Sequence, residues 1–188
     1  GGRIIVANIL KYLRVTLTSN FGNFYSVALA SLFLPFVPLL PIQILLLNLL
    51  SDFPMIAIAT DTVDDVELEK PKNYQVHSIV LRATLLGVVS SVFDFILFGA
   101  LYRFSPEMLQ TAWFMLSVLT EIILIFSLRT RLTFFRARRI SLTLGILSGL
   151  VLIIALLLPF LPFMMGVLHF VRPTPGLLLF IGTLAVGY

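Results

Sequence analysis

From Val15 to Ser51 the chain carries no Asp, Glu, Lys or Arg. About 20 helical residues cross a bilayer, so this run is too long for one span. Pro35, Pro38 and Pro41 interrupt it, because proline removes a helical hydrogen bond and clashes with the preceding turn. The spacing predicts one helix over about 4–34 and a second over about 39–60. Residues 61–77 turn polar, with Asp61, Asp64, Asp65, Glu67, Glu69, Lys70 and Lys72, and with Pro71 and Asn73 to stop a helix; they predict a water-exposed loop. Apolar runs then predict helices at about 78–102, 110–128 and 140–160. A short loop with Pro106 separates the first two of these, and the basic segment Arg129 to Arg139 precedes the third. Pro159 and Pro162 end it, residues 169–175 turn again, and 176–188 form most of a further apolar helix. The pattern predicts an all-α, polytopic transmembrane helix bundle of about six spans.

Composition agrees. Hydrophobic residues make up 59% of the 188, mean hydropathy is +1.07, and 12% of residues are charged, about half the share usual in soluble domains. An integral membrane protein in contact with a lipid bilayer is expected. There is no cysteine, which removes disulfide frameworks and thiolate metal sites. Two histidines are too few for an imidazole cluster, and His169 reads as an interfacial loop residue. Neither end has the pattern of a complete protein: Gly1-Gly2-Arg3 shows no initiator Met or signal peptide, and the chain stops at Tyr188 without a polar tail. A fragment of a longer polypeptide is expected.

The net charge of +4 is explained by topology, not by nucleic acid. With the N-terminus in the cytoplasm, eleven Lys and Arg face inward, and only Arg103 and Arg172 face outward. This bias orients the bundle.

Three carboxylates fall inside predicted spans: Asp52, Asp94 and Glu121. A charge at bilayer depth costs upward of ~2.5 kcal/mol, so such groups face a bundle interior or an ion path. Asn48 and Asp52 are four apart and share a helix face. A carboxamide and a carboxylate converging in a dry place supply oxygens to a hard cation, which makes Asp52 and Asn48 the first metal-ligand candidates. Pro54 frees a carbonyl in the same helix. Asn20 and Asn23 flank Gly22 and share a face; they serve either as contacts between helices or as ion contacts, and Gly22 admits another backbone closely. Asp94 is either a hydrogen bonder to a neighbouring helix or an ion contact, and Glu121, near the middle of its helix, has the same two readings. No catalytic residue is identified.

These segments, in order, resemble the C-terminal membrane half of P-type cation-transporting ATPases. Arg3 with Ala7-Asn8-Ile9-Leu10-Lys11-Tyr12 is similar to the stalk start of that family's fifth transmembrane helix. Asn48-Leu49-Leu50-Ser51-Asp52-Phe53-Pro54 is similar to its sixth-helix signature, whose Asn and Asp bind the transported ion. Lys70-Pro71 matches the loop that follows. Ser19-Asn20-Phe21-Gly22-Asn23, Ser90-Ser91-Val92-Phe93-Asp94, Trp113-Phe114 and Leu128-Arg129-Thr130 resemble the magnesium-translocating branch most. The resemblance covers essentially the whole chain, as helices five to ten. Glu121 departs from it, standing where Gln or a small residue is expected.

The resemblance implies one transport domain over 1–188, with an ion-site hairpin at 1–60, a cytoplasmic loop at 61–77 and supporting helices at 78–188. It implies Mg2+ as the transported ion and, with ATP, as a cofactor of the full protein. It implies partners in the same polypeptide, namely upstream cytoplasmic ATPase domains and four preceding helices, and a plasma (inner) membrane location. The phosphorylated Asp motif, the nucleotide domain, the dephosphorylation loop and the fourth helix are absent here, so the chain alone is not expected to hydrolyse ATP. A pump for calcium, a monovalent cation or protons stays open. A secondary transporter would carry internal repeats and paired broken helices, and the sequence shows no convincing repeat.

Overall fold

The computed structural model describes residues 2–63, 76–130 and 139–188. Helix α1 runs Gly2–Phe33. Helix α2 runs Pro41–Ala57 and tightens into a 3₁₀ turn at Ile58–Thr60. Then come α3, Val76–Leu101; α4, Pro106–Leu128; α5, Leu142–Leu157, with a 3₁₀ turn at Leu158–Phe160; α6, Pro162–Leu168; and α7, Pro175–Gly187. The described residues hold no strand.

Four of these helices are long and apolar enough to cross a membrane: Pro41–Thr60, His77–Leu101, Pro106–Leu128 and Leu142–Phe160. Helix α1 is longer still, but Thr16, Thr18, Ser19, Asn20, Gly22, Asn23 and Ser26 dilute its apolar character. Helix α7 is apolar and shorter.

Local chemistry sets the helix starts. Ser105, Ser141 and Thr174 each accept a bond from a first-turn backbone N–H, that of Met108, Leu144 and Leu177 respectively, which satisfies an otherwise orphaned donor. Pro106, Pro41 and Pro175 follow their caps at the position where a missing N–H costs nothing. This moves the start of α4 to Pro106, ahead of the expected 110: the proline opens the helix and does not belong to a loop. Fully buried Gln43 accepts from the Leu40 N–H at 2.9 Å and donates to the Leu168 carbonyl at 2.7 Å, tying the start of α2 to α6. Helix α6 was not anticipated; it ends at His169, whose left-handed φ of 55° closes it.

Helix α4 is the centre of the bundle. It touches α1, α2, α3, α5 and α7, and from Leu109 to Val118 every residue is buried. Lipid tails are as apolar as leucine, so close packing holds membrane helices together more than water exclusion does. Trp113 supplies much of that packing, edge-on to Phe98 with ring centroids 4.9 Å apart, and Phe114 meets Phe170 at 4.8 Å. The most extensive contact between two helices is α1 on α3. Gly22 and Gly87 make it possible: a Cβ on Gly87 would stand 2.9 Å from the Gly22 nitrogen.

The expected solvated loop and basic loop are corrected at their edges. Asp61 and Arg129 are both buried, and their side chains pair. A charge is buried when an opposite charge meets it, and these partners lie 68 residues apart, beyond the reach of local pattern. The rest of both loops, 64–75 and 131–138, lies outside the described residues.

Candidate functional site

Asn20 and Asn23 on α1 and Asn48 on α2 line one cavity of about 270 Å³, with Phe24, Leu47 and Trp113 among its apolar walls. The three carboxamides reach it through helix periodicity. Asn20 and Asn23 stand three apart, and α2, which follows α1 after the break at 34–40, brings Asn48 to the same cavity. Asp52 follows Asn48 by one turn on the same face. Both are exposed on the surface of this bundle, as is Asn20, while Asn23 is half-buried. Among the described residues no hydrogen bond engages the side chains of Asn20, Asn48 or Asp52. Pro54 sits buried inside α2; with no N–H of its own, it leaves the Leu50 carbonyl without its helical donor.

Glu121 lies behind this cavity, at the middle of α4 and buried. Its Oε1 accepts from Ser19 Oγ at 2.6 Å and from Asn23 Nδ2 at 3.1 Å, and its Oε2 meets Ser51 Oγ. Ser51 Oγ also lies 2.9 Å from the Leu47 carbonyl. Two helices, α1 and α2, thus converge on one carboxyl of α4 through hydroxyl and amide groups. Asn23 both walls the cavity and bonds to Glu121, so the carboxyl stands one hydrogen bond behind it. Ser19 and Ser51 were not singled out as partners of Glu121. Each adjoins a residue singled out as a candidate ion contact, Asn20 and Asp52.

Asp94 belongs to a separate contact. Buried on α3, it accepts from Ser26 Oγ of α1 at 2.5 Å. That is a hydrogen bond between helices, one of its two expected roles. Ser91, on the same helix, lies within 3.2 Å of the Gly22 carbonyl, so the two serine contacts and the glycine crossing bind α1 to α3.

No cluster of three or more His, Cys, Asp or Glu side chains occurs among the described residues. The donors around the cavity are carboxamides, with a carboxylate one turn along α2 and a second carboxyl behind Asn23. Such hard oxygens suit magnesium or calcium and give nothing to a soft metal.

Known proteins are similar to this chain in sequence. Residues 36–188 match the family described as "Cation transporting ATPase, C-terminus". A "Magnesium-transporting ATPase, P-type 1" of Escherichia coli (strain K12) is 37% identical over 168 residues, covering 86% of this chain and 19% of that protein. One of Salmonella typhimurium is 33% identical over 181 residues, covering 93% and 20%. A "Calcium-transporting ATPase" of Bacillus subtilis is 32% identical over 191 residues, covering 93% and 21%. The chain spans about a fifth of the length of these curated relatives.

Proposed function

We propose that this chain, which belongs to the family of cation-transporting ATPase C-terminal regions, is the transport half of the membrane domain of an ATP-driven magnesium pump. One observation carries the reading: three asparagines from two antiparallel helices line a single cavity, with Asp52 one turn beyond Asn48. Magnesium takes oxygen ligands in octahedral geometry and gives up its water reluctantly. A face rich in neutral carboxamides, with few carboxylates, offers second partners to a hydrated ion and need not strip it. Similarity to magnesium-transporting relatives over most of the chain supports the same ion.

The exposed face explains the rest of the polypeptide. Asp52, Asn48 and Asn20 would be costly against lipid, so further helices of the same polypeptide cover them and complete the ligand set. Residues 1–60 are the ion-site hairpin and 78–188 its support. ATP binding and phosphorylation reside elsewhere in the polypeptide, and α1, as the stalk, transmits their movement. Two arrangements of α1 against α2 with different affinity for the ion then give alternating access. The excess of Lys and Arg on one side supports a cytoplasmic N-terminus for this chain, and the family resemblance supports a plasma membrane.

A calcium pump is the second reading. Glu121 favours it, since calcium recruits more direct oxygens and carboxylates than magnesium does, and so does the Bacillus relative.

The test is ion flux into liposomes holding the full-length protein, followed with separate magnesium and calcium indicators because ATP hydrolysis itself requires magnesium. Magnesium flux that disappears in Asp52→Ala and Asn48→Ala supports pump and site together. Calcium-selective flux keeps the family and replaces the ion.

A further inference from the structure

Helices α1 and α2 carry the asparagines, yet they barely touch along their lengths. Helix α1 meets its partner chiefly at the 3₁₀ turn Ile58–Thr60 that ends α2. Here the chain places a buried polar joint. Asn8 Nδ2 donates to the carbonyls of Ala59 at 3.1 Å and Asp61 at 3.0 Å. Lys11 Nζ donates to the Thr62 carbonyl at 2.7 Å and to Asp61 Oδ2 at 3.2 Å. From the other side Arg129, at the end of α4, grips the same carboxylate with Nε at 2.9 Å and Nη2 at 3.1 Å. The Ser141 N–H, at the start of α5, adds a long bond to Oδ1 at 3.3 Å. The side chain of Asp61 is fully enclosed, and Lys11 and Arg129 are 2% and 5% exposed. Val15, Met55 and Ile58, from the same two segments, belong to one buried apolar cluster.

The position of the joint matters. Lys11 precedes Asn20 by nine residues and Asn23 by twelve, and Asp61 follows Asn48 by thirteen, so the asparagines on both sides stand roughly 14–20 Å above the joint at the helical rise. Two rods joined at the base and separated by a cavity above hold their spacing through the base. We propose that Lys11 and Asp61 are a positioning pair for transport, fixing the separation of the two asparagine faces and so the affinity of the cavity for its cation. Displacing the N-terminal end of α1 moves the end of α2 with it. A carboxylate shared by two cations suits this role, because either cation can be removed and leave a balanced buried pair. This inference rests on the transport reading of the cavity above.

The balance supplies the test. In the full-length pump in liposomes, Lys11→Met cuts the charged link between α1 and the end of α2, leaves the Asn8 bonds, and keeps Asp61 paired with Arg129. Arg129→Met cuts the link to α4 and keeps Asp61 paired with Lys11. Lys11→Met should raise the cation concentration for half-maximal ATPase about tenfold, within the usual range for coupling between sites, with maximal turnover held within about twofold. Lys11→Arg should recover most of that loss. Arg129→Met should shift half-activation by less than about a third as much, and Asn8→Ala, which removes the neutral link, should shift it in the same direction as Lys11→Met. Spin labels at Ile5→Cys and Ile56→Cys, both exposed, report the joint without any ion. Their distance distribution should broaden in Lys11→Met and stay unchanged in Arg129→Met. Equal effects of the two methionine variants on half-activation, or an unchanged label distribution in Lys11→Met, overturn the joint. A wild-type pump that no cation stimulates sinks the transport reading instead, and the labels then decide the joint alone.

Discussion

Asn23 on α1 donates through Nδ2 to Glu121 Oε1 on α4 at 3.1 Å, and the same carboxamide walls the asparagine cavity. The buried carboxyl thereby becomes part of the cavity's support whether or not it touches the ion. Glu121→Ala strips Ser19, Asn23 and Ser51 of their shared acceptor. An unpaired buried polar group costs about 1–3 kcal/mol, so the thermal midpoint in detergent should fall clearly. Glu121→Gln keeps an acceptor for Ser19 and Asn23 and a donor toward Ser51, and should retain most of the stability. Equal losses in both variants would show that shape matters there and hydrogen bonding does not.

Asp52 and Asp94 should separate in a flux assay. Asp52 is exposed on the face shared with Asn48, while Asp94 is buried against Ser26. Asp52→Asn should reduce magnesium flux by at least about tenfold, the effect of losing roughly 1.4 kcal/mol of ion binding, and leave the melting midpoint nearly unchanged. Ser26→Ala, which takes the hydroxyl from Asp94, should lower the midpoint by the equivalent of about 1–3 kcal/mol with flux per folded molecule preserved. Flux lost in Ser26→Ala at normal stability would bring Asp94 into the ion path.

Gly87 and Gly99 share α3 and should respond oppositely to the same change. A Cβ at Gly87 would meet the Gly22 nitrogen at 2.9 Å and the Phe21 Cβ at 3.0 Å, whereas one at Gly99 meets nothing within 4 Å. Gly87→Ala must push α1 from α3, and overpacking of this kind costs about 1–3 kcal/mol. Gly99→Ala removes only backbone freedom and should be neutral or stabilising by up to about 1 kcal/mol. Comparing the thermal midpoints of the two variants checks the crossing.

Trp113 stands in the middle of α4, 1% exposed, against Phe98, and it lines the asparagine cavity. Trp113→Ala should destabilise the bundle by about 3–5 kcal/mol through the void it leaves, and it should weaken ion stimulation as the cavity widens. Trp113→Phe should restore much of the stability. A Trp113→Ala variant with normal stability and normal ion stimulation would remove the tryptophan from both roles.

Much of this was legible along the chain. Pro35, Pro38 and Pro41 mark the break between α1 and α2, because a missing N–H acts on its own helix whatever surrounds it. Asn20 with Asn23, and Asn48 with Asp52, share faces because helical periodicity is local. Gly22 announced a close approach, though its counterpart Gly87 was visible only once α3 lay against α1. Along the chain Pro106 reads as a loop residue, because a proline that opens a helix and one that ends it differ only in the cap before it, here Ser105.

The sequence by itself determined where the long helices form, roughly where they stop and which polar residues lie together on one helix, since each of these follows from interactions within a few residues; the short α6 and the start of α4 at Pro106 were not among them. Only the tertiary structure decided which faces meet. Asp61 and Arg129 looked like solvated loop charges, yet they close on each other across 68 residues. Glu121 looked like a lone intramembrane carboxyl, yet Ser19, Asn23 and Ser51 reach it from two other helices. The physical reason is common to both. Whether a charge is solvated or buried depends on a partner that the fold delivers, and that partner lies on a different helix.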